Sequence, residues 1–136
     1  MPREGQEIES PGGMTLRLVR IEPDELLMEA AYSGEAGMPP QHLHPKQAET
    51  FEVVEGRMRA IVGGEERVYE VGESFEVPAG TPHQMAAEGP TRTRWKVRPA
   101  MRTAEFFERL FGDGPDSAQK MGEKFLAEFS DEFRLA

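Results

Sequence analysis

The chain contains three histidines, and two of them stand two positions apart: His42 and His44 precede Glu49, and His83 follows later. On a strand, alternate residues share a face and lie ~6.6 Å apart along it. Two imidazoles at that separation can converge on one ion at the usual ~2.1 Å metal–nitrogen distance. Glu49 comes after a short gap containing Pro45 and can turn back onto the same face from the start of the next strand. It shares parity with Phe51 and Val53, so it points where the apolar side chains point. A carboxylate facing a core is costly unless it is paired, hydrogen-bonded or metal-bound. His83 follows the corner "PAGTP", and Met85 and Ala87 share its parity. Three neutral imidazoles and one carboxylate suit a divalent transition ion (Fe, Mn, Ni, Co, Cu or Zn) better than Ca or Mg. Four ligands around an octahedral ion leave two positions open, whereas a structural zinc site closes at four. A bare His-X-His pair is a weak signal, because it arises often by chance.

The elements that must position these residues read as short strands and turns from Met14 to about Pro99. "MTLRLVRI" alternates, "LLMEAAYSG" follows the turn "EPDE", and "FEVVEG" alternates again. "RMRAIVGGEERVYEVG" reads as a hairpin about Gly63-Gly64. "SFEVPAGTPH" is a short strand ending in a corner, and "TRTRWKV" is a last strand with Trp95 and Val97 on its apolar face. Such strands, regularly spaced with no helix between them, predict an antiparallel sandwich or barrel. Residues 1–13 are polar, end in Pro-Gly-Gly, and are expected to form a mobile arm or an edge segment ordered by a partner.

Residues 100–136 have a different character. "TAEFFERLFG" places Phe106, Phe107, Leu110 and Phe111 at helical spacing, with Gly112 to stop the helix. "PDSAQKMGEKFLAEFSDEFRLA" opens with Asp116 and Gln119 in a capping pattern and carries the stripe Ala118, Met121, Phe125, Phe129 and Phe133. Two amphipathic helices are expected, packed on the barrel or on a second subunit. Six of the eight phenylalanines lie in this tail, and that apolar area is one ground for expecting a homodimer.

Composition narrows the partners. The net charge is −9, so the chain lacks the basic excess that displaces counterions from nucleic acid, and an anionic membrane surface would repel it. No apolar run approaches the ~20 residues needed to cross a bilayer, and "MPREGQEIESPGG" is not a signal peptide. Cysteine is absent, which removes disulfides and thiolate metal sites and fits a cytoplasmic setting.

The spacing resembles the cupin superfamily. Its first motif is G(X)5HXH(X)3,4E(X)6G. His42, His44, Glu49 and Gly56 fit it, while Ala36 stands where the opening glycine belongs and Gly37 is one residue too close. Its second motif is G(X)5PXG(X)2H(X)3N. Gly72, Pro78, Gly80 and His83 fit at every spacing, and Ala87 replaces the asparagine, which is not a ligand. The resemblance covers residues 14 to 99. It implies an all-β double-stranded β-helix (a jelly-roll, RmlC-like cupin barrel) with a C-terminal helical extension. It also implies one divalent transition metal held by His42, His44, Glu49 and His83. Reactions within this superfamily vary, and fold does not fix function. The expectation is a small metal-binding cupin acting on or binding a small organic molecule, with dioxygenase chemistry of the quercetin-dioxygenase-like kind foremost. A non-catalytic binding or sensor cupin is the alternative, and a sugar isomerase or epimerase is the second. Phe51, Val53, Met85 and Trp95 are the expected apolar walls of a substrate pocket. Arg57, Arg59, Arg94 and Arg98 could contact an anionic ligand, but an exposed strand face explains them better.

Overall fold

The computed structural model describes residues 1–10, 12–34, 37–111 and 122–136. Strands β1 (Glu7–Glu9), β2 (Met14–Ile21), β3 (Leu26–Tyr32), β4 (His42–Leu43), β5 (Ala48–Glu55), β6 (Arg57–Val62), β7 (Glu65–Glu70), β8 (Ser74–Val77), β9 (His83–Ala87) and β10 (Thr91–Arg98) precede two helices and a last strand. These are α1 (Thr103–Phe111), α2 (Glu123–Glu128) and β11 (Arg134–Leu135). One sheet has the order β1-β2-β3-β10-β5-β8 and the other β11-β4-β9-β6-β7. All pairings are antiparallel. The strand pattern's antiparallel sandwich or barrel takes the form of the jelly roll that the resemblance implies, with a helical extension at its C-terminal end.

Alternation sets which side chains fill the interior. On β2, Leu16 and Leu18 are buried while Arg17 is exposed; a bulge between Leu18 and Arg20 then breaks the alternation. On β5, Glu49, Phe51 and Val53 are buried and Glu52 is exposed. On β10, Thr93, Trp95 and Val97 point in while Arg94 and Arg98 point out. The β6–β7 hairpin turns at Gly63 and Gly64, whose φ of 58° and 88° suit the tight two-residue loop.

Two segments depart from expectation. The N-terminal arm is ordered by its own chain: β1 pairs with β2 in the register Ile8↔Leu16, and Ile8 is buried. A single apolar residue in a polar segment is enough to seat an edge strand when the neighbouring strand offers free hydrogen bonds. The second helix is also shorter than its aromatic stripe. It ends at Glu128, with Phe129 as C-cap, and Phe133 leads into β11 rather than continuing a helix. Ser130 and Asp131 favour turns over helix interiors, and pairing with β4 offers the last residues a ladder that a helix would forfeit. The expected helix stop at Gly112, the cap at Asp116 and Gln119, and the stripe positions Ala118 and Met121 lie outside the described residues, as does Ala36.

The tail packs on its own barrel. Phe106 and Phe129 are fully buried, and Phe107 and Leu110 nearly so. Full burial of one such side chain contributes about 1.5–3 kcal/mol. Arg102 and Arg109 both bind the Glu128 carboxylate and lie over the Phe129 ring, pinning α2 to α1. Part of the apolar area that gave one ground for a homodimer is thus covered within the chain, while Phe111, Phe125 and Phe133 stay half-buried.

Gly56 joins β5 to β6 with φ +80°, and a Cβ there would sit 2.3 Å from the Pro90 carbonyl oxygen and 2.8 Å from Thr91 Cα. Both obstacles are backbone. Gly56→Ala is therefore expected to lower stability by well over about 1 kcal/mol, read as a reduced midpoint at unchanged slope in urea unfolding. A midpoint equal to the wild type would contradict this geometry.

Candidate metal centre

Three histidines come together from the start of β4, the turn that follows it and β9, and Glu49 of β5 contacts two of them, His44 and His83. His42 opens β4 and lies opposite His83 on β9 in the ladder. His44 follows β4, in the turn that leads to β5, where Glu49 sits in the sheet's interior face. The Gly80 N–H donates to the His44 carbonyl (2.8 Å), tying the ligand loop to the corner that carries His83. Gln47, buried in the same loop, donates to the Pro99 and Ala100 carbonyls and to Thr103 Oγ1 at 2.7–3.0 Å, so the loop is also fixed to the start of α1.

Donor atoms of His42, His44 and His83 all lie within 4.8 Å of one another. Each ring uses Nδ1 on a backbone carbonyl: His42 on Pro40 (3.1 Å), His44 on Glu132 (2.7 Å) and His83 on Thr81 (2.9 Å). A carbonyl can only accept, so Nδ1 carries the hydrogen, and in the neutral ring Nε2 presents a lone pair. Glu49 Oε1 lies 3.0 Å from Nε2 of both His44 and His83. Its other oxygen, Oε2, accepts from Trp95 Nε1 at 2.7 Å.

With neutral rings no proton lies on either Nε2–Oε1 line. His44 Nε2, His83 Nε2 and Glu49 Oε1 are then buried polar atoms without partners, facing one another through lone pairs. Buried atoms of this kind are nearly always satisfied in folded proteins, and a positive charge among them satisfies all three. The pKa directions express the same demand. Burial opposes ionisation of Glu49, but hydrogen bonding and charge from His44 and His83 outweigh it and hold the carboxyl down to about 2. Burial disfavours charge on His44 as well, yet the Glu49 carboxylate pulls it up. Burial and the neighbouring His83 push His42 down to about 4, so it stays neutral. A proton on His44 serves one of the two 3.0 Å contacts; a cation serves both and engages His42 too. The donor set, borderline imidazole nitrogen with one carboxylate, fits a divalent transition ion.

His42 and His44 open onto a cavity of about 290 Å³. Its walls come from the tail: Phe106, Phe107, Leu110 and Phe111 of α1, with Phe133 and Leu135 from the C-terminal end. Phe133 stacks on the His42 ring with centroids 4.9 Å apart and planes at 21°. Of the four expected wall residues, Trp95 lines this cavity. Phe51 and Val53 are instead core: Phe51 is sandwiched between Phe75 and Trp95, at 5.1 Å from each. Met85 packs against the same core. Inward-facing positions in a small barrel are filled by each other, so inward parity alone does not make a pocket wall. Arg57, Arg59, Arg94 and Arg98 are exposed, and Arg57 and Arg98 pair with Glu70 and Glu25, each at 2.8 Å. Sequence reading missed Phe133, Glu132 and the α1 face as parts of the site. The aromatic stripe was the visible signal, but nothing in it says that the chain returns to β4.

Known structures share this architecture. KdgF from a Halomonas species aligns with a TM-score of 0.64 and 22% identity, over 69% of this chain and 86% of that one. An RmlC-like cupin from Shewanella frigidimarina aligns with a TM-score of 0.67 and 20% identity, over 73% and 87%. Streptomyces Pac13, a nucleoside dehydratase also solved with uridine, aligns with a TM-score of 0.61 and 16% identity, over 74% and 81%. At these identities the likeness is one of fold. No curated protein matches the sequence. No helix among the described residues is long and apolar enough to cross a membrane. The profile of the cupin domain family Cupin_2 matches residues 29–97, a span of half the chain that takes in both histidine segments and Glu49, and the protein belongs to that family.

Proposed function

We propose that the protein is a cupin that holds one divalent transition ion through His42, His44, Glu49 and His83 and acts on, or binds, a small organic molecule in the adjoining cavity. The observation that carries this reading is the convergence of partnerless buried donors, two imidazole nitrogens and a carboxylate oxygen, at 3.0 Å contacts. When bound, the ion would supply Lewis acidity toward an oxygen-bearing ligand and, if redox-active, electron transfer toward dioxygen. The chain's own contribution is positional. The Pro40, Glu132 and Thr81 carbonyls fix the ring tautomers and aim each Nε2 inward. Trp95 holds Oε2 so that Oε1 faces the rings. Phe133 covers one face of His42 and limits water there.

The reaction foremost in this reading is dioxygenase-type chemistry on a substrate bound through one oxygen, because four ligands leave two positions, one for that oxygen and one for dioxygen, on a six-coordinate ion. A binding or sensor role without turnover uses the same ion and cavity and differs only in the absence of oxygen consumption. The sugar isomerase or epimerase reading is weaker. All three histidines are committed to the centre, and no lysine or arginine among the described residues lines the cavity to hold a phosphate. The solved neighbours include a dehydratase of nucleosides, so dehydration belongs among the activities to assay. A homodimer in a cytoplasmic setting completes the proposal. With the tail folded onto its own barrel, pairing would use exposed sheet edges such as β7 or β8, and light scattering of the full chain reads it directly.

Elemental analysis should find close to one ion per wild-type chain after loading and dialysis. His42→Ala with His44→Ala removes two of four ligands and is expected to abolish retention. Full occupancy in that double variant would remove the assignment. Trp95→Phe keeps the ring packing but leaves Glu49 Oε2 without its donor. Such outer contacts are worth about 10–100-fold in metal affinity, so a loss of about tenfold is expected in competition with a chromogenic chelator, with the fold intact by circular dichroism.

A further inference from the structure

We infer that this site takes a ligand with an apolar, ring-sized body and a single oxygen-bearing head, and that the C-terminal extension rather than the barrel selects the body. The head rests on the metal reading above; the body rests on the cavity alone. Among the described residues, the only titratable side chains lining the cavity are His42 and His44, both at the centre, and the Trp95 N–H is already spent on Glu49. The remaining walls are aromatic rings, leucines and prolines. A hydroxyl-rich ligand placed here would lose its water without finding donors or acceptors, which disfavours sugars and nucleosides. An apolar body loses nothing polar and gains contact with rings already ordered by their own packing. Phe106 is held in stacked or edge contact with Phe107, Phe125, Phe129 and Phe133, at 5.0–5.5 Å. The volume is ample: dry cavities of about 150 Å³ take benzene, and this one is about 290 Å³.

The extension, not the barrel, decides fit, because the barrel interior behind Trp95 is filled by Phe51 and Phe75. Phe133 is the main determinant on the metal side. It stacks on both His42 and Phe106, so it lies between the polar end and the apolar wall and would meet the point where head joins ring.

Two arms test this in the full-length protein. In the first, the zinc-loaded chain is titrated calorimetrically with benzoate, cyclohexanecarboxylate, gluconate and uridine. Benzoate and cyclohexanecarboxylate are expected to bind at least tenfold tighter than gluconate or uridine; equal or reversed order overturns the inference while leaving the metal reading standing. In the second, metal-free protein is titrated with toluene, which has no head, and Trp95, the chain's one tryptophan, is excited at its red edge. Saturable change in its emission is expected, and a lack of it overturns the apolar body even if zinc binds well. Should zinc fail to bind, the metal reading falls and the toluene arm alone judges the cavity. Phe111→Lys puts a charge in the wall and should weaken toluene at least fivefold. Leu135→Lys, at a position about half exposed where folding is not at stake, should weaken it less but measurably. Saturable toluene binding that neither substitution alters would place the site elsewhere and overturn the assignment.

Discussion

The buried carboxylate of Glu49 is the constraint around which the rest of the molecule is arranged. Glu49 is 1% exposed and sits on β5, which is hydrogen-bonded on both sides, to β10 and to β8. The pleat fixes its direction: its parity is that of Phe51 and Val53, and a rotation to solvent would require moving the strand. An ionised group so placed is tolerated only if its charge is met nearby. Trp95 meets one oxygen from the adjacent strand. The other oxygen has only ring nitrogens to face, so positive charge must be supplied there. In the ion-free chain the group that gains proton affinity is His44, and the acid that loses it is Glu49. Both directions are consequences of one buried negative charge.

That constraint explains why so much backbone is spent on three rings. A neutral imidazole next to a carboxylate could rotate or flip to turn its other nitrogen inward. Each ring is prevented from doing so by a carbonyl on Nδ1, and one of these carbonyls, that of Glu132, belongs to the far end of the chain. The C-terminal segment is thus part of the centre as well as a cover for it. β11 pairs with β4 in the register Arg134↔Leu43, and the Ala136 N–H donates to the Gln41 carbonyl. Two ladder positions and one stacked phenylalanine hold the segment beside His42.

The sequence was informative where a local rule had a single physical solution. Strand parity, which buries Glu49 with Phe51 and Val53, and the Gly63-Gly64 turn follow from period-two geometry or from φ > 0 and appear where the pattern places them, whereas His44 lies in the turn after β4 and not on one strand with His42. It was uninformative where two rules competed. The stripe Phe125, Phe129 and Phe133 is helical in period, but helix ends at Glu128 because the last residues gain more from an open strand edge than from another turn. Ile8 lies in a polar arm whose composition suggests mobility, yet one buried side chain and a vacant edge order it. Phe51 and Val53 do face inward, as parity requires, but inward in a barrel this narrow means mutual contact rather than open space. Only the three-dimensional path of the tail reveals where space remains.

Division of labour follows from these packing facts. The barrel, filled by packed side chains, holds His42, His44, Glu49 and His83 beside one another. The described part of the tail, by contrast, contributes none of the four candidate donors. It contributes walls, a carbonyl and a stacked ring. Changes in the tail can therefore reshape the cavity while leaving the four donors in place, whereas changes in β5 or β9 alter the donors themselves. A substitution at Phe111 or Leu135 is a change of ligand fit, and one at Glu49 or His83 is a change of centre. The two can be separated by experiment because different parts of the chain carry them.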